Sequence, residues 1–470
     1  MFLKKSGVAL KEKIQRLRYK EFSVADGLNE ASSDLFGRTK KLYGIKGENC
    51  DLSSGIRTGY GMTAYTIEDI MPRFPSANVA QAIAEWTYKN ADGETKVGSM
   101  YVTNAGDVYL YNEPRRMFLK QEQTLSGRVK ILPYYGANGE EKLLICSEGS
   151  VMTYDSTAGF CELYAEGRPL ACVFHDRIWF VCDRSRLRFS EPLNELEWSD
   201  DADGSGYLDL PDEAGRIVGI EAVGERIYVF FRRGISVLDA RGSAREFRVE
   251  KIGFDGGNIL EGSVAKCGDE VFFLTRDSVW VFDGKRAEKA AKNLSISARD
   301  DWQVYDETVF EGKVFFTYTD VSGKKKRLVF DAKNRTWYFM AAAFEGMSAT
   351  NGKLLAFYDG EIRSLYEGGT LPSGASYRCE IPFNDFGIAE RKVLRSLRFT
   401  GEGQMQVAVS NGRTRLSFPI RFSDGEARTF PILKGRRFWF EFTLEGGCKI
   451  SSLEVEFGTY GDVGRGGELW

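Results

Sequence analysis

One pattern occurs twice between Arg216 and Gly284, and this repeat constrains the fold more than any other feature of the chain. Each copy is a turn, an apolar strand, a second turn and another strand, with the two apolar runs starting at Ile227 and Val271. β-Branched and aromatic residues fill the strands, and Gly or Asp occupies the turns. Near-continuous apolar runs are typical of strands buried on both faces of a sheet. The repeat therefore predicts packed β-sheets.

The same unit recurs on both sides of this pair. The residues that begin the apolar runs align as Ile178, Ile227, Val271, Val314 and Leu354. Their spacing is about 49, 44, 43 and 40 residues, within the range of roughly 40–50 for a four-stranded propeller blade. Hairpins counted up to Tyr366 give six full units and a fragmentary seventh. We predict an all-β fold with a β-propeller of six or seven blades.

A single blade is too small to fold alone. Ordering roughly 40 residues costs about 1–2 kcal/mol each in backbone entropy. The half-dozen core side chains of a blade return only about 1.5–3 kcal/mol apiece when they are buried. The repeats must therefore stack on one another.

The chain is long enough for a second domain. Its 470 residues exceed the roughly 250–300 at which single cores stop growing. After Gly374 the strands alternate apolar and polar residues at a shorter period, which favours a small antiparallel β-sandwich. The predicted organisation is an N-terminal arm of extended chain and short strands, a propeller, a sandwich and a tail, at residues 1–75, 76–373, 374–460 and 461–470.

The first 20 residues are strongly basic. One acid, Glu12, faces seven basic residues, which are Lys4, Lys5, Lys11, Lys13, Arg16, Arg18 and Lys20. Apolar residues between Val8 and Leu17 could form a ragged helical stripe. Two readings stay open: an arm that contacts DNA or an acidic partner, and a solvated terminus.

Bulk composition narrows the class of protein. The formal net charge is −3 with a pI near 5.7, so no whole-molecule basic field points to nucleic-acid binding. No apolar run approaches the 18 or more residues of a membrane span, and the N-terminal residues lack the apolar core of a signal peptide. Eight scattered cysteines without a Cys-x-x-Cys pair predict reduced thiols in a chain made in a cytoplasm.

The single histidine limits the chemistry available to the chain. Ser–His or Cys–His catalysis would have to use His175. Yet His175 occupies the turn position held by Gly224 and Gly268 in sister repeats, so we predict a turn residue. A zinc site from Cys172, His175 and Cys182 is disfavoured, because three ligands at these spacings match no common site.

Other candidate sites are weaker still. The segment 199–204 resembles the start of a calcium loop, but its twelfth position is Leu210 and not the required Glu. It reads better as an acidic loop between strands. No glycosidase carboxylate pair can be singled out, and no strand–Gly-x-Gly-x-x-Gly–helix unit occurs. We therefore predict that the protein is not an enzyme, and we assign no catalytic, cofactor-binding or metal-binding residues.

Several stretches carry a resemblance to a known family. They are Gly167–Trp179, Leu187–Pro192, Glu197–Trp198, Gly215–Ile220, Gly234–Leu238, Asp331–Trp337, Asp385–Gly387 and Arg391–Leu394. Over roughly residues 20–460, the order of elements resembles the propeller-type tail proteins of tailed bacteriophages, which form the tail tube or nozzle below the portal and adaptor. The chain departs from that family in its more basic N-terminal arm and in lacking a clear long insertion for a nozzle tip.

The resemblance implies a structural role in the virion tail, after synthesis in the bacterial host cytoplasm. The implied partners are copies of the chain itself in a ring, adaptor or portal-side proteins, and tail fibre or tip proteins. Double-stranded DNA would pass through the lumen without specific binding. The acidic balance is compatible with this, since affinity for DNA rises with each phosphate neutralised.

Two other classes remain as alternatives. One is a receptor- or glycan-binding propeller at the tail tip or on a cell surface, and the other is a propeller hydrolase. Acidic residues lining a ring lumen would favour the tail ring. An aromatic-floored pocket on one propeller face would favour the binding protein.

Overall fold

The computed structural model describes residues 12–22, 40–42, 46–75, 79–136, 139, 141–200, 204–211, 213–291, 294, 296–299 and 306–460. These residues form two compact units. One unit comprises Met62–Arg335 and Ala341–Tyr366. The other comprises Thr336–Met340 with the described residues of Met1–Gly61 and Glu367–Trp470.

The described part of the chain opens with six strands of 2 to 11 residues. They are β1 (Glu12–Phe22), β2 (Lys40–Leu42), β3 (Lys46–Glu48), β4 (Cys50–Asp51), β5 (Ile56–Thr58) and β6 (Tyr60–Ala64). A helical stripe near the N-terminus was one expectation, and for residues 12–22 it is wrong. Leu17 and Tyr19 are buried while the residues around them are exposed, which is the period of a strand and not of a helix.

Five four-stranded antiparallel sheets follow in sequence. The first two sheets contain β7 (Ala80–Lys89), β8 (Thr95–Thr103), β9 (Asp107–Asn112) and β10 (Met117–Thr124), and then β11 (Val129–Tyr135), β12 (Glu141–Ser147), β13 (Val151–Asp155) and β14 (Gly159–Tyr164). The third and fourth contain β15 (Ala171–Phe174), β16 (Arg177–Val181), β17 (Arg186–Phe189) and β18 (Gly206–Asp209), and then β19 (Ile217–Val223), β20 (Arg226–Phe231), β21 (Gly234–Asp239) and β22 (Arg248–Ile252). The fifth contains β23 (Ala265–Cys267), β24 (Glu270–Leu274), β25 (Val279–Phe282) and β26 (Ala287–Lys289). A 3-10 turn at Ala244–Glu246 precedes β22.

The propeller continues with a three-stranded antiparallel meander and a last four-stranded sheet. The strands are β27 (Asp306–Phe310), β28 (Lys313–Thr319) and β29 (Lys325–Asp331), then β31 (Glu345–Thr350), β32 (Lys353–Tyr358) and β33 (Glu361–Glu367), with β30 (Thr336–Met340) between them in the chain. The outer strand of the last sheet is β6, which precedes all the others. Six four-stranded blades and the β27–β29 meander therefore form the propeller, which confirms the predicted fold class.

The first strands of successive blades lie side by side, and β31 lies beside β7, so the ring of blades is closed. At this junction Thr350 Oγ1 accepts a hydrogen bond from the Glu85 amide at 2.9 Å and donates to the Glu85 carbonyl at 2.7 Å. Gly346 permits the close approach, because a Cβ there would lie 2.8 Å from the Ala80 carbonyl oxygen.

The repeat read from the sequence coincides with the second strand of each blade. The aligned residues Ile178, Ile227, Val271, Val314 and Leu354 are all buried, at 0–1% exposure, in β16, β20, β24, β28 and β32. The apolar faces of neighbouring blades pack against each other; Trp179 and Phe189 share one core with Ile220 and Val229 of the next blade. Stacking therefore buries what a lone blade would expose.

The remaining strands are β34 (Tyr377–Asn384), β35 (Lys392–Glu402), β36 (Gln404–Ser410), β37 (Arg415–Arg421), β38 (Glu426–Thr429), β39 (Leu433–Gly435), β40 (Phe438–Leu444) and β41 (Lys449–Tyr460). One sheet of the C-terminal unit has the order β2-β1-β41-β35-β38, and the other runs β30-β3-β34-β40-β36-β37. Most pairs are antiparallel; β1–β2 and β3–β30 are parallel. One apolar core joins both sheets and includes Leu17, Phe399 and Phe442.

The first and last described strands thus both belong to the second unit. Strand β1 pairs with β41 from Glu12↔Tyr460 to Tyr19↔Leu453. The predicted tail at residues 461–470 lies outside the described residues. No helix in the described part of the chain is long and apolar enough to cross a membrane.

Candidate functional site

The axis of the propeller holds a charged cluster inside a cavity of 430 Å³, lined mainly by the first strands of the blades. Lys130 of β11 places its Nζ 3.3 Å from Glu221 Oε1 of β19 and 3.7 Å from Glu307 Oε1 of β27. Burial disfavours the charge on Lys130, but the two carboxylates outweigh burial and raise its pKa above the usual value. The cluster ties three blades together across the axis.

The size of this cavity bears on the passage of DNA. The ion pairs of Lys130 with Glu221 and Glu307 cross this cavity and join side chains from three blades. A DNA duplex cannot thread a space of this size. The axis of one propeller is therefore closed to a DNA duplex.

A second polar network lies where the ring of blades closes. Tyr65 donates its hydroxyl hydrogen bond to Glu85 Oε1 at 2.6 Å and lies 2.9 Å from Ser99 Oγ. Lys353 Nζ is 3.1 Å from Glu85 Oε2, whose side chain is fully buried. Burial and the neighbouring Glu85 carboxylate raise the pKa of Tyr65 well above its usual value. Because each partner of Glu85 comes from the blade junction, the network serves closure.

The structure places His175 in the predicted hairpin turn. His175 and Asp176 connect β15 to β16 with φ values of 48° and 58°, which is the left-handed geometry of a type I′ turn. The imidazole is 43% exposed, and its Nε2 lies 3.8 Å from Glu225 Oε2. The same turn position carries Gly224 at φ 56° and Gly268 at φ 65°. The histidine therefore follows the geometry of its sister repeats.

The disfavoured zinc set does not converge on one point. Cys172 is buried, and burial raises the pKa of its thiol. Cys182 lies beyond the far end of β16, where its thiol donates to the Arg186 carbonyl at 3.8 Å. Within the described parts of the chain, no group of three or more His, Cys, Asp or Glu side chains is placed to hold a metal ion.

The acidic loop at residues 199–204 is described only in part. Residues 201–203 lie outside the described residues. Asp200 is held by Arg188, whose Nη1 lies 2.6 Å from Asp200 Oδ1. This carboxylate is therefore already paired with a cation of its own blade.

The basic residues of the N-terminal arm lie partly on an ordered strand. Arg16 and Arg18 point to the exposed side of β1, and Arg16 Nε donates to Glu456 Oε2 at 2.8 Å. Lys4, Lys5 and Lys11 lie outside the described residues. Part of the arm's charge is thus matched by an acid on the neighbouring strand.

An exposed apolar loop on the C-terminal unit was not recognised in the sequence. Phe430 and Ile432, between β38 and β39, are 58% and 60% exposed. Ile432 has φ 42°, a left-handed conformation that a β-branched residue rarely adopts. Arg428 stacks its guanidinium 4.8 Å from the Phe430 ring centre. The sequence feature that could have indicated this loop is a pair of large apolar residues on either side of Pro431, outside any alternating strand pattern.

Comparisons with known proteins add little. No protein-family model matches the chain, and no curated protein sequence matches it. Solved structures that match include selenomethionine-substituted virginiamycin B lyase from Staphylococcus aureus, with 11% identity, a TM-score of 0.43, and coverage of 65% of this chain and 99% of that one. A catalytically inactive variant of the same enzyme with quinupristin also matches. Its sequence identity is 11% and its TM-score is 0.43, and the match covers 65% of this chain and 98% of that one. A function for this chain has to come from its own residues.

Proposed function

We propose that this chain is a structural protein of a bacteriophage tail, whose copies form a ring around the DNA exit channel and dock other tail components. The resemblance of its blade-closing and C-terminal stretches to propeller-type tail proteins suggests the class. The observation that carries ring assembly is the exposed loop of Phe430 and Ile432, which belongs to the C-terminal unit. The protein would act in the virion, as a part of the tail.

The loop has the properties of a contact surface. Two large apolar side chains stand out from a backbone that holds Ile432 at φ 42°, and strain of this kind persists where it serves an interaction. Full burial of such a side chain contributes about 1.5–3 kcal/mol. Because Phe430 and Ile432 are 58% and 60% exposed, a contact that covers them would gain more than half of that free energy. Single exposed apolar residues scattered over a surface need no partner. Two of them close together on a strained loop favour a contact with another protein surface.

The proposed occupant of this surface is a second copy of the chain. The loop follows β38, which is an edge strand of its sheet among the described residues. An open edge beside an apolar loop suits a head-to-tail contact, and such contacts generate rings when the rotation closes. The small net charge of −3 does little to keep copies apart.

We further propose that the role is not enzymatic. The chain contains one histidine, and His175 lies in an exposed hairpin turn beside Glu225 and Phe174. Double-stranded DNA is proposed to pass through a lumen between copies, lined by more Asp and Glu than Lys and Arg, without specific binding.

Virions made in a host that lacks this gene product test the proposal. They should package DNA and adsorb to cells, and then leak the DNA or fail to inject it. Complementation with a Phe430→Ser/Ile432→Ser chain should fail, whereas Val321→Ser, an equally exposed apolar residue at 58% in a propeller turn, should restore infection. Particles that retain DNA and lose only adsorption would favour the receptor- or glycan-binding alternative.

A further inference from the structure

An arginine-lined cleft opens on one face of the propeller. The links between blades and the turns between second and third strands share this face, because antiparallel strands place alternate connections at the same end. The cleft has a volume of 830 Å³. Its lining includes Arg168, Arg184, Arg216, Arg232, Arg233 and Asn258.

The loops that carry these arginines are fastened to one another through the backbone. The Ile217 amide donates to the Arg184 carbonyl at 2.8 Å, and the Arg232 amide donates to the Arg216 carbonyl at 2.9 Å. The Arg233 amide donates to the Ala214 carbonyl at 2.8 Å. The cleft is therefore built before any ligand arrives, which reduces the cost of ordering it on binding.

One acid positions two of the arginines without cancelling the positive charge. Glu261, with a side chain only 12% exposed, pairs with Arg168 and lies 2.7 Å from Arg216 Nη2. Arg184 and Arg233 are exposed at the rim. Asp183 accepts a hydrogen bond from the Arg184 amide at 2.6 Å. Among the described residues, five arginines line the cleft, Asp183 is the one acid of its lining, and Glu261 contacts two of the arginines.

We propose that this cleft binds a small ligand, or one repeat of a polymer, that carries two or more phosphate groups. Guanidinium forks match tetrahedral oxyanions, and several converging arginines exceed what one phosphate needs. The volume lies within the roughly 300–1,000 Å³ of small-ligand sites. No aromatic side chain is among the described residues that line the cleft, so it offers no stacking platform for a nucleobase.

Calorimetric titration of the full chain with inorganic pyrophosphate, at constant ionic strength, tests this site. Wild-type protein should bind. The Arg184→Gln/Arg233→Gln variant should bind at least about tenfold more weakly, since charge-assisted hydrogen bonds to the ligand are lost. Arg226→Gln is the matched control, because Arg226 is exposed at the opposite end of the same strand, β20, and should leave the affinity unchanged.

Several results would overturn the proposal. They are no binding by the wild type, equal weakening in the Arg226→Gln control, and orthophosphate or sulfate binding as tightly as pyrophosphate. Displacement of pyrophosphate by a DNA oligomer, with higher affinity and the same arginine dependence, would replace it with a nucleic-acid site. Melting curves check that each variant folds; should the double variant unfold, Arg233→Gln alone undergoes the same titration. The outcome is independent of ring assembly.

Discussion

At the scale of single residues, one buried lysine shows how the C-terminal unit accommodates charge. Lys392 is 1% exposed at the start of β35. Its Nζ donates to the Ile388 carbonyl at 2.7 Å and to the Arg436 carbonyl, and it lies 5.5 Å from the centre of the Phe457 ring. Burial lowers the pKa of Lys392 from 10.5 to about 8.

This shift predicts a pH dependence of stability. Between pH 8 and 10.5 the unfolded chain keeps a proton on Lys392 that the folded chain has released, so the free energy of unfolding rises with pH in that window. The full shift corresponds to about 3 kcal/mol. Urea unfolding of wild type and Lys392→Met, compared across the window, should show the wild type gaining stability relative to the variant as pH rises. Parallel curves would contradict the buried position.

The hairpin turn at His175 predicts that one substitution there leaves the stability unchanged and another lowers it. His175→Asn should leave stability within about 0.5 kcal/mol, because Asn tolerates the left-handed φ of 48°. His175→Val should cost about 1–2 kcal/mol in the same turn, since a β-branched residue is strained there. Thermal melts compare the two variants. If His175→Asn melts normally but abolishes a measurable enzymatic activity, the non-enzymatic reading fails.

At the scale of elements, the blades show what local sequence can reveal. Second strands such as β20 and β24 were predictable, because their apolar runs and Gly-containing turns are written in adjacent residues. Partners distant in sequence were not. Arg16 contacts Glu456, which lies 440 positions away in the chain. The alternation of buried Leu17 and Tyr19 with exposed basic residues was not recognised as the pattern of a strand. The 830 Å³ arginine cleft was hidden for the same reason, since its arginines come from separate turns and links.

The axial cluster supplies the element-scale prediction. Lys130→Met should lower the free energy of unfolding by about 2 kcal/mol, less than the roughly 3–5 kcal/mol of a fully buried pair, because Lys130 is 22% exposed. The loss arises because the carboxylates of Glu221 and Glu307 no longer share the cation of Lys130. The triple variant Lys130→Met/Glu221→Gln/Glu307→Gln should recover most of it in thermal melts. Equal destabilisation of single and triple variants would show that packing alone matters at the axis.

At the scale of the whole molecule, the chain is an all-β protein of two units in which the propeller segment is inserted between two parts of the other unit. The first and last described strands, β1 and β41, pair with each other in one sheet.

Electron cryo-microscopy of intact tails tests ring assembly most directly. The account predicts a closed ring of copies around the DNA exit channel, with the loop of Phe430 and Ile432 buried between neighbouring copies and DNA density outside the axis of each propeller. Single propellers at fibre tips, or tails from which the chain is absent, would contradict it.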